Sequence, residues 1–147
     1  MEDLESLRAA TQGHDGIRYV AAEHELRRAW NNIEYRVGLS QKNVGSTKLS
    51  MNLATIPPGG VALAHVHVDF EVMIYILEGR VRHEYGPGLE LEVENGPGDF
   101  IFIEPGIPHE VVNVSESEPV VAVVARSDAS EWENIEPYPR KRGLQAL

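Results

Sequence analysis

From about Ile33 onward the chain falls into short stretches in which apolar residues recur at every second position, each bounded by Gly, Pro or Asn. A period of two is the mark of a half-buried strand, so this patterning predicts an all-β unit. Lys48 to Ile56 alternates, with Leu49, Met51, Leu53 and Thr55 on one face, and Pro57-Pro58-Gly59-Gly60 forms a turn. Leu63 to Leu77 reads as a hairpin-like pair of strands around Asp69, closed by Glu78-Gly79. Arg80 to Tyr85 carries Val81, His83 and Tyr85 on one side and Arg80, Arg82 and Glu84 on the other. Leu91 and Val93 alternate with Glu90, Glu92 and Glu94, and Phe100 to Ile103, His109 to Val114 and Val120 to Ala125 supply further apolar strands. Ahead of these, Glu23 to Trp30 predicts one or two helical turns, with Leu26 and Trp30 four apart, ended by Asn31-Asn32. The expected organisation is one antiparallel β-barrel over residues 33–128. An N-terminal extension over 1–32, containing a little helix, and a tail over 129–147 flank it.

Charge narrows the function classes. The 147 residues carry a formal net charge of −10, and the pI is about 5.0. A nucleic-acid role is therefore not expected, because phosphate backbones need a basic face. The basic run Arg140-Lys141-Arg142 reads as a solvated stretch of the tail. With no cysteine, thiolate nucleophiles and disulfides are excluded, and His and carboxylates are left as metal ligands. The acidic start Met1-Glu2-Asp3-Leu4-Glu5 lacks the apolar stretch of a signal peptide, and Val72 to Leu77 is too short to span a bilayer. The expectation is a cytoplasmic protein with neither membrane nor nucleic-acid partner.

The chemistry concentrates in His65, His67, Glu71 and His109. On a strand, His-x-His points both rings to one face. Three imidazoles and one carboxylate suit one divalent transition metal ion, with iron favoured and Mn, Ni, Zn or Co also accommodated. Four protein ligands on an ion that prefers six leave two positions for water, substrate or dioxygen.

These residues sit in two longer patterns. Gly59 to Gly79 resembles the first signature of the cupin superfamily, G-x5-H-x-H-x3,4-E-x6-G, and Gly98 to Asn113 is similar to the second, G-x5-P-x-G-x2-H-x3-N. The resemblance implies a jelly-roll barrel of six to eight strands, the four metal ligands named above, and a homodimer. Two departures stand out. Glu104 occupies the position of the second signature's proline, and seven residues rather than six separate Glu71 from Gly79. Either a β-bulge between Glu71 and Tyr75 absorbs the extra residue, or Glu71 turns away and three histidines remain.

His83 and Tyr85 share the face that should look inward, which makes them candidates for proton transfer, His83 as general acid or base and Tyr85 as donor or orienting group. The alternative for both is a hydrogen-bonded role at the barrel mouth. Asn113 is expected to be structural, and His14 and His24 to lie at the surface. A small-molecule substrate is expected, an organic acid, phenol or carbonyl compound, since no glycine-rich phosphate cradle is present. Three functions fit: a metal-dependent dioxygenase, favoured here; a redox-neutral isomerase, lyase or cyclase; or a non-catalytic ligand-binding protein.

Overall fold

The alternating stretches pair into two antiparallel sheets in a computed structural model that describes residues 4–24, 26–131 and 133–139. In chain order the elements are helix α1 (Leu4–Ala9), then β1 (Thr11–His14), β2 (Ile17–Val20), β3 (Arg27–Trp30) and β4 (Ile33–Leu39). Helix α2 (Gln41–Val44) is followed by β5 (Ser50–Ile56), β6 (Val61–His67), β7 (Val72–Glu78) and β8 (Val81–Tyr85). The remaining strands are β9 (Leu91–Asn95), β10 (Phe100–Ile103), β11 (His109–Asn113), β12 (Val120–Arg126) and β13 (Ile135–Pro137). One sheet runs β10-β7-β12-β5-β4-β3 and the other β13-β6-β11-β8-β9, and β1-β2 form a separate hairpin. The architecture is an all-β jelly-roll barrel, and no helix among the described residues is long and apolar enough to cross a membrane.

The inner faces of both sheets make one core. Ile76, Val72, Val120 and Val124 come from the six-stranded sheet, Ala62 and Val81 from the other, and Phe70 from the link between them. Each fully buried Val, Ile or Phe contributes about 1.5–3 kcal/mol. In β5 the inward face is Ser50, Asn52, Ala54 and Ile56; the face that carries Leu49 and Met51 looks out.

Several sequence expectations change. Arg27 to Trp30 is strand, not helix: it pairs with β4 around Asn31 and Asn32, whose φ of 56° and 65° are the two positive values a tight hairpin turn requires. Pairing to β4 overrides the local helical pattern, and the Asn31 and Asn32 amides fasten this turn to the Leu63 and Val61 carbonyls of β6. Leu63 to Leu77 is not a hairpin. β6 pairs with β11 and β13, β7 pairs with β10 and β12, and the link through Asp69 crosses from one sheet to the other. The sheets also reach past both expected barrel boundaries, to β3 on one side and β13 on the other, where Ile135 pairs with His67 and Pro137 with His65. Arg140-Lys141-Arg142 lies outside the described residues.

Candidate metal centre

His65 and His67 alternate inward near the end of β6, and β11 brings His109 directly opposite His65. All three are buried, and their potential ligand atoms lie within 4.8 Å of one another. The rings pack edge to face, with His65–His109 centroids 4.4 Å apart and His67–His109 centroids 4.6 Å apart. The Nδ1 of His65 donates to the Leu63 carbonyl at 2.7 Å and that of His109 to the Ile107 carbonyl at 3.0 Å. This fixes the tautomer and leaves each Nε2 with a free lone pair, the arrangement in which backbone carbonyls orient metal-binding imidazoles. The ring of His67 stacks on Phe70 at 5.1 Å, and its Nδ1 is buried without a hydrogen-bond partner.

Burial keeps these rings neutral. Desolvation, then the neighbouring His65, Arg126 and His83, holds His67 down at about 3. His65 and His109 are also lowered, chiefly by burial, against the opposing effect of their carbonyl bonds. Only the neutral ring binds a metal. The donor set therefore fits a divalent transition ion: three convergent, deprotonated nitrogens, two of them fixed from behind.

Glu71 does not join them. It is exposed at the mouth of β7, its N–H bonded to the Ser127 hydroxyl and its carbonyl to the Ser127 N–H. The expected bulge between Glu71 and Tyr75 is absent as well. The ladder between β7 and β12 is regular from Val72 to Ile76, and its irregularity falls beyond, around Leu77. Parity thus holds Glu71 outward while Phe70 and Val72 turn in. Gly79 shows why the count misled. Its φ is +87°, and a Cβ there would meet the Pro119 carbonyl oxygen at 2.5 Å, so this glycine is a fixed reference point. With six residues between it and Gly79, the carboxylate position of the signature falls on Val72, not Glu71. A Glu71→Ala variant is accordingly expected to bind zinc as wild type does, by elemental analysis; loss of uptake would return Glu71 to the ligand set.

His83 is buried on β8, its ring 6.1 Å from that of His109, with neither nitrogen hydrogen-bonded. Burial, and then His65, lowers it to about 4. The three histidines, His83 and a ring of Val and Ile side chains enclose a cavity of about 80 Å³ inside the barrel. A second cavity, of about 360 Å³, lies towards the outside between β8–β9 and β10, and half-buried Tyr85 lines this one with Leu91 and Phe102. His83, Ile101, Ile103 and His109 border both cavities. The structure thus separates the two proton-transfer candidates, His83 at the inner site and Tyr85 on the approach. Asn113 is spent on backbone: its amide donates to the carbonyls of Ile56, Pro57 and Glu118 and its oxygen accepts from Ser115 N.

One residue of the site was missed from the sequence. Arg126, 3% exposed at the end of β12, lines the inner cavity from the sheet opposite the histidines. The alternation of Val120, Ala122 and Val124 carries its side chain inward, a signal a period-two count would have caught.

Comparison with known proteins settles the family. A cupin domain family profile matches residues 52–126, half of the chain. The chain belongs to the cupin family. No curated protein matches this cupin. Among solved structures it is similar to an oxalate decarboxylase from Lactobacillus farciminis in complex with formate, at 16% identity and a TM-score of 0.64, over 77% of this chain and 33% of that one. An uncharacterised Klebsiella pneumoniae protein with a double-stranded β-helix domain aligns over 86% of this cupin and 100% of its own chain, at 16% identity and a TM-score of 0.65. The cupin domain of Schizosaccharomyces pombe Cnp3 aligns at 9% identity and a TM-score of 0.60, over 70% of this chain and 68% of that one. At these identities the likeness is one of fold, and the cupin spans about a third of the length of the oxalate decarboxylase.

Proposed function

We propose that this cupin is a metal-dependent enzyme, favoured as a dioxygenase, acting on a small organic acid or carbonyl compound at a mononuclear three-histidine centre. The observation that carries the reading is the meeting of His65, His67 and His109, buried and neutral, in a small apolar cavity. A divalent ion held there, with iron favoured, would supply Lewis acidity and redox chemistry with dioxygen. The remaining work falls to the protein. Leu63 and Ile107 orient two of the imidazoles through their carbonyls. Phe70, Val72, Ile103 and Val124 keep bulk water away, so that charges inside interact more strongly than they would in solution. The outer cavity gives a substrate an apolar approach past Tyr85. A homodimer fits the exposed Met73, Phe100 and Phe102 along the β7–β10 edge of the barrel.

His83 favours a second reading, redox-neutral isomerisation, elimination or cyclisation. A buried imidazole with both nitrogens unpartnered beside the cavity is free to take a proton from substrate and return it elsewhere. One pair of measurements separates the two. With iron-loaded protein and a panel of 2-oxo acids, 1,3-dicarbonyls and phenols, the dioxygenase reading expects turnover that stops when oxygen is removed. Turnover that survives anaerobically and falls by about 100-fold or more in His83→Ala supports the redox-neutral reading instead.

A further inference from the structure

Arg126 stands directly across the strand pair from Val72, the position to which the first signature's carboxylate counts back from Gly79. Where the signature places a negative side chain, this chain has an apolar one, and the neighbouring cation remains. The guanidinium is held by neutral groups: Nη1 donates to Asn52 Oδ1 at 3.2 Å, and Cζ lies 5.6 Å from the ring centroid of Tyr35. No carboxylate of the described residues comes within ion-pair distance of it. Glu131 and Asp128 act on it through space without pairing with it. Both are engaged elsewhere: Glu131 pairs with Arg28 and Lys42, and Asp128 accepts from Ser130 and Asn134. A guanidinium does not deprotonate in proteins. The cavity therefore holds a fixed cation on one wall, and on the other three uncharged imidazoles, which would leave a divalent ion with its whole charge.

We propose that Arg126 is the anion anchor of the site, and that the carboxylate of a small oxo acid or dicarboxylic acid fills the space left open beside Val72. The ligand spans from Arg126 on the six-stranded sheet to the histidine cluster on the five-stranded sheet. A cavity of about 80 Å³ suits a molecule of a few heavy atoms. Tyr35 and Asn52 hold the guanidinium plane in place, so its recognition is directional as well as electrostatic. This assignment deepens the proposed function and rests on it for the metal end of the ligand, whereas the arginine end stands on its own.

The test is calorimetric titration of pyruvate, acetoacetate and malonate, each against its amide, into wild type, Arg126→Gln and Arg126→Lys. Every protein is measured zinc-loaded and zinc-free, with zinc content determined on the same samples. At least one carboxylate is expected to bind wild type more tightly than its amide by about 10-fold or more, and Arg126→Gln to lose roughly 10- to 100-fold of that affinity with zinc uptake unchanged. Arg126→Lys should recover part of the loss, because charge persists without the planar fork. In zinc-free wild type the carboxylate preference should persist more weakly. Equal binding of acids and amides, or wild-type affinity in Arg126→Gln, overturns the anchor. Wild type that takes up no zinc yet still prefers carboxylates overturns the metal centre and leaves the anchor standing. Should Arg126→Gln fail to fold, the comparison of acid with amide in zinc-free wild type serves in its place. A carboxylate preference there supports the anchor, and equal binding of acid and amide refutes it.

Discussion

Replacing His109 with alanine is expected to abolish stoichiometric metal binding while leaving the barrel folded. His109 is the contribution of β11 to a cluster whose other members both lie on β6, so its loss leaves two donors on one strand and none facing them. Removing an outer hydrogen bond from a metal-binding histidine costs about 10- to 100-fold in affinity. Removing the imidazole itself should cost at least that much. Folding should survive, because the apolar cluster that joins the sheets is built from Ile76, Val72, Ala62 and their neighbours and not from this ring. The measurement is zinc or iron content per chain after dialysis, with circular dichroism as the control for structure. A His109→Ala protein that retains one tightly held ion per chain would disprove the three-histidine centre.

The second large effect is on acid stability. His67 and His83 have their pKa lowered from 6.5 to about 3 and about 4 in the folded protein, mainly by burial. The unfolded chain returns them to ordinary values, so between those limits the unfolded state binds more protons. Stability is then fully present above about pH 6.5 and falls as pH drops towards the folded values, below which no further loss comes from these groups. His83 alone sets a ceiling of about 3 kcal/mol. The carboxylates act only at more acid pH and do not confuse this window: Asp99 is lowered from 3.8 chiefly by its hydrogen bond from Asn95, and in Asp128 the raising effect of desolvation is outweighed by hydrogen bonds from Asn134 and Ser130. Urea unfolding of the metal-free protein at about pH 7.5 and pH 4.5 should show a clear fall in midpoint, reduced in His83→Phe. Equal midpoints would mean that the histidines are not buried as neutral rings. Bound metal should steepen the dependence, since protons and the ion compete for the same nitrogens.

Much of the architecture was readable from alternation alone, because a half-buried strand writes its inward face into every second residue. The three histidines were readable for the same reason, reinforced by the signatures around them. What failed did so where a count or a local preference competed with long-range pairing. Glu71 satisfies one spacing measured forward from His67 and misses another measured back from Gly79, and the regular β7–β12 ladder follows the second. Glu-Leu-Arg-Arg-Ala favours helix by itself, yet Arg27 to Trp30 forms an outer strand because β4 offers its ladder. β6 and β7 look like a hairpin because they are adjacent in sequence, but Asp69 at φ 65° and buried Phe70 carry the chain to the opposite sheet. Arg126 went unread because it ends an apolar strand, where a charge looks like a boundary.

The pairing of β13 with β6 bears on when, as well as where, the site comes into being. The strand that carries His65 and His67 is flanked by β11 on one side and by β13 on the other, both made much later in synthesis. A nascent chain that has reached the end of β7 owns two of the three imidazoles but neither of the strands that hold them in line. Contacts of such long sequence separation form slowly and late. Ion capture should therefore act as a receipt for finished folding: a chain stalled or cut before Ile135 would keep all three histidines and lack the outer strand that braces two of them.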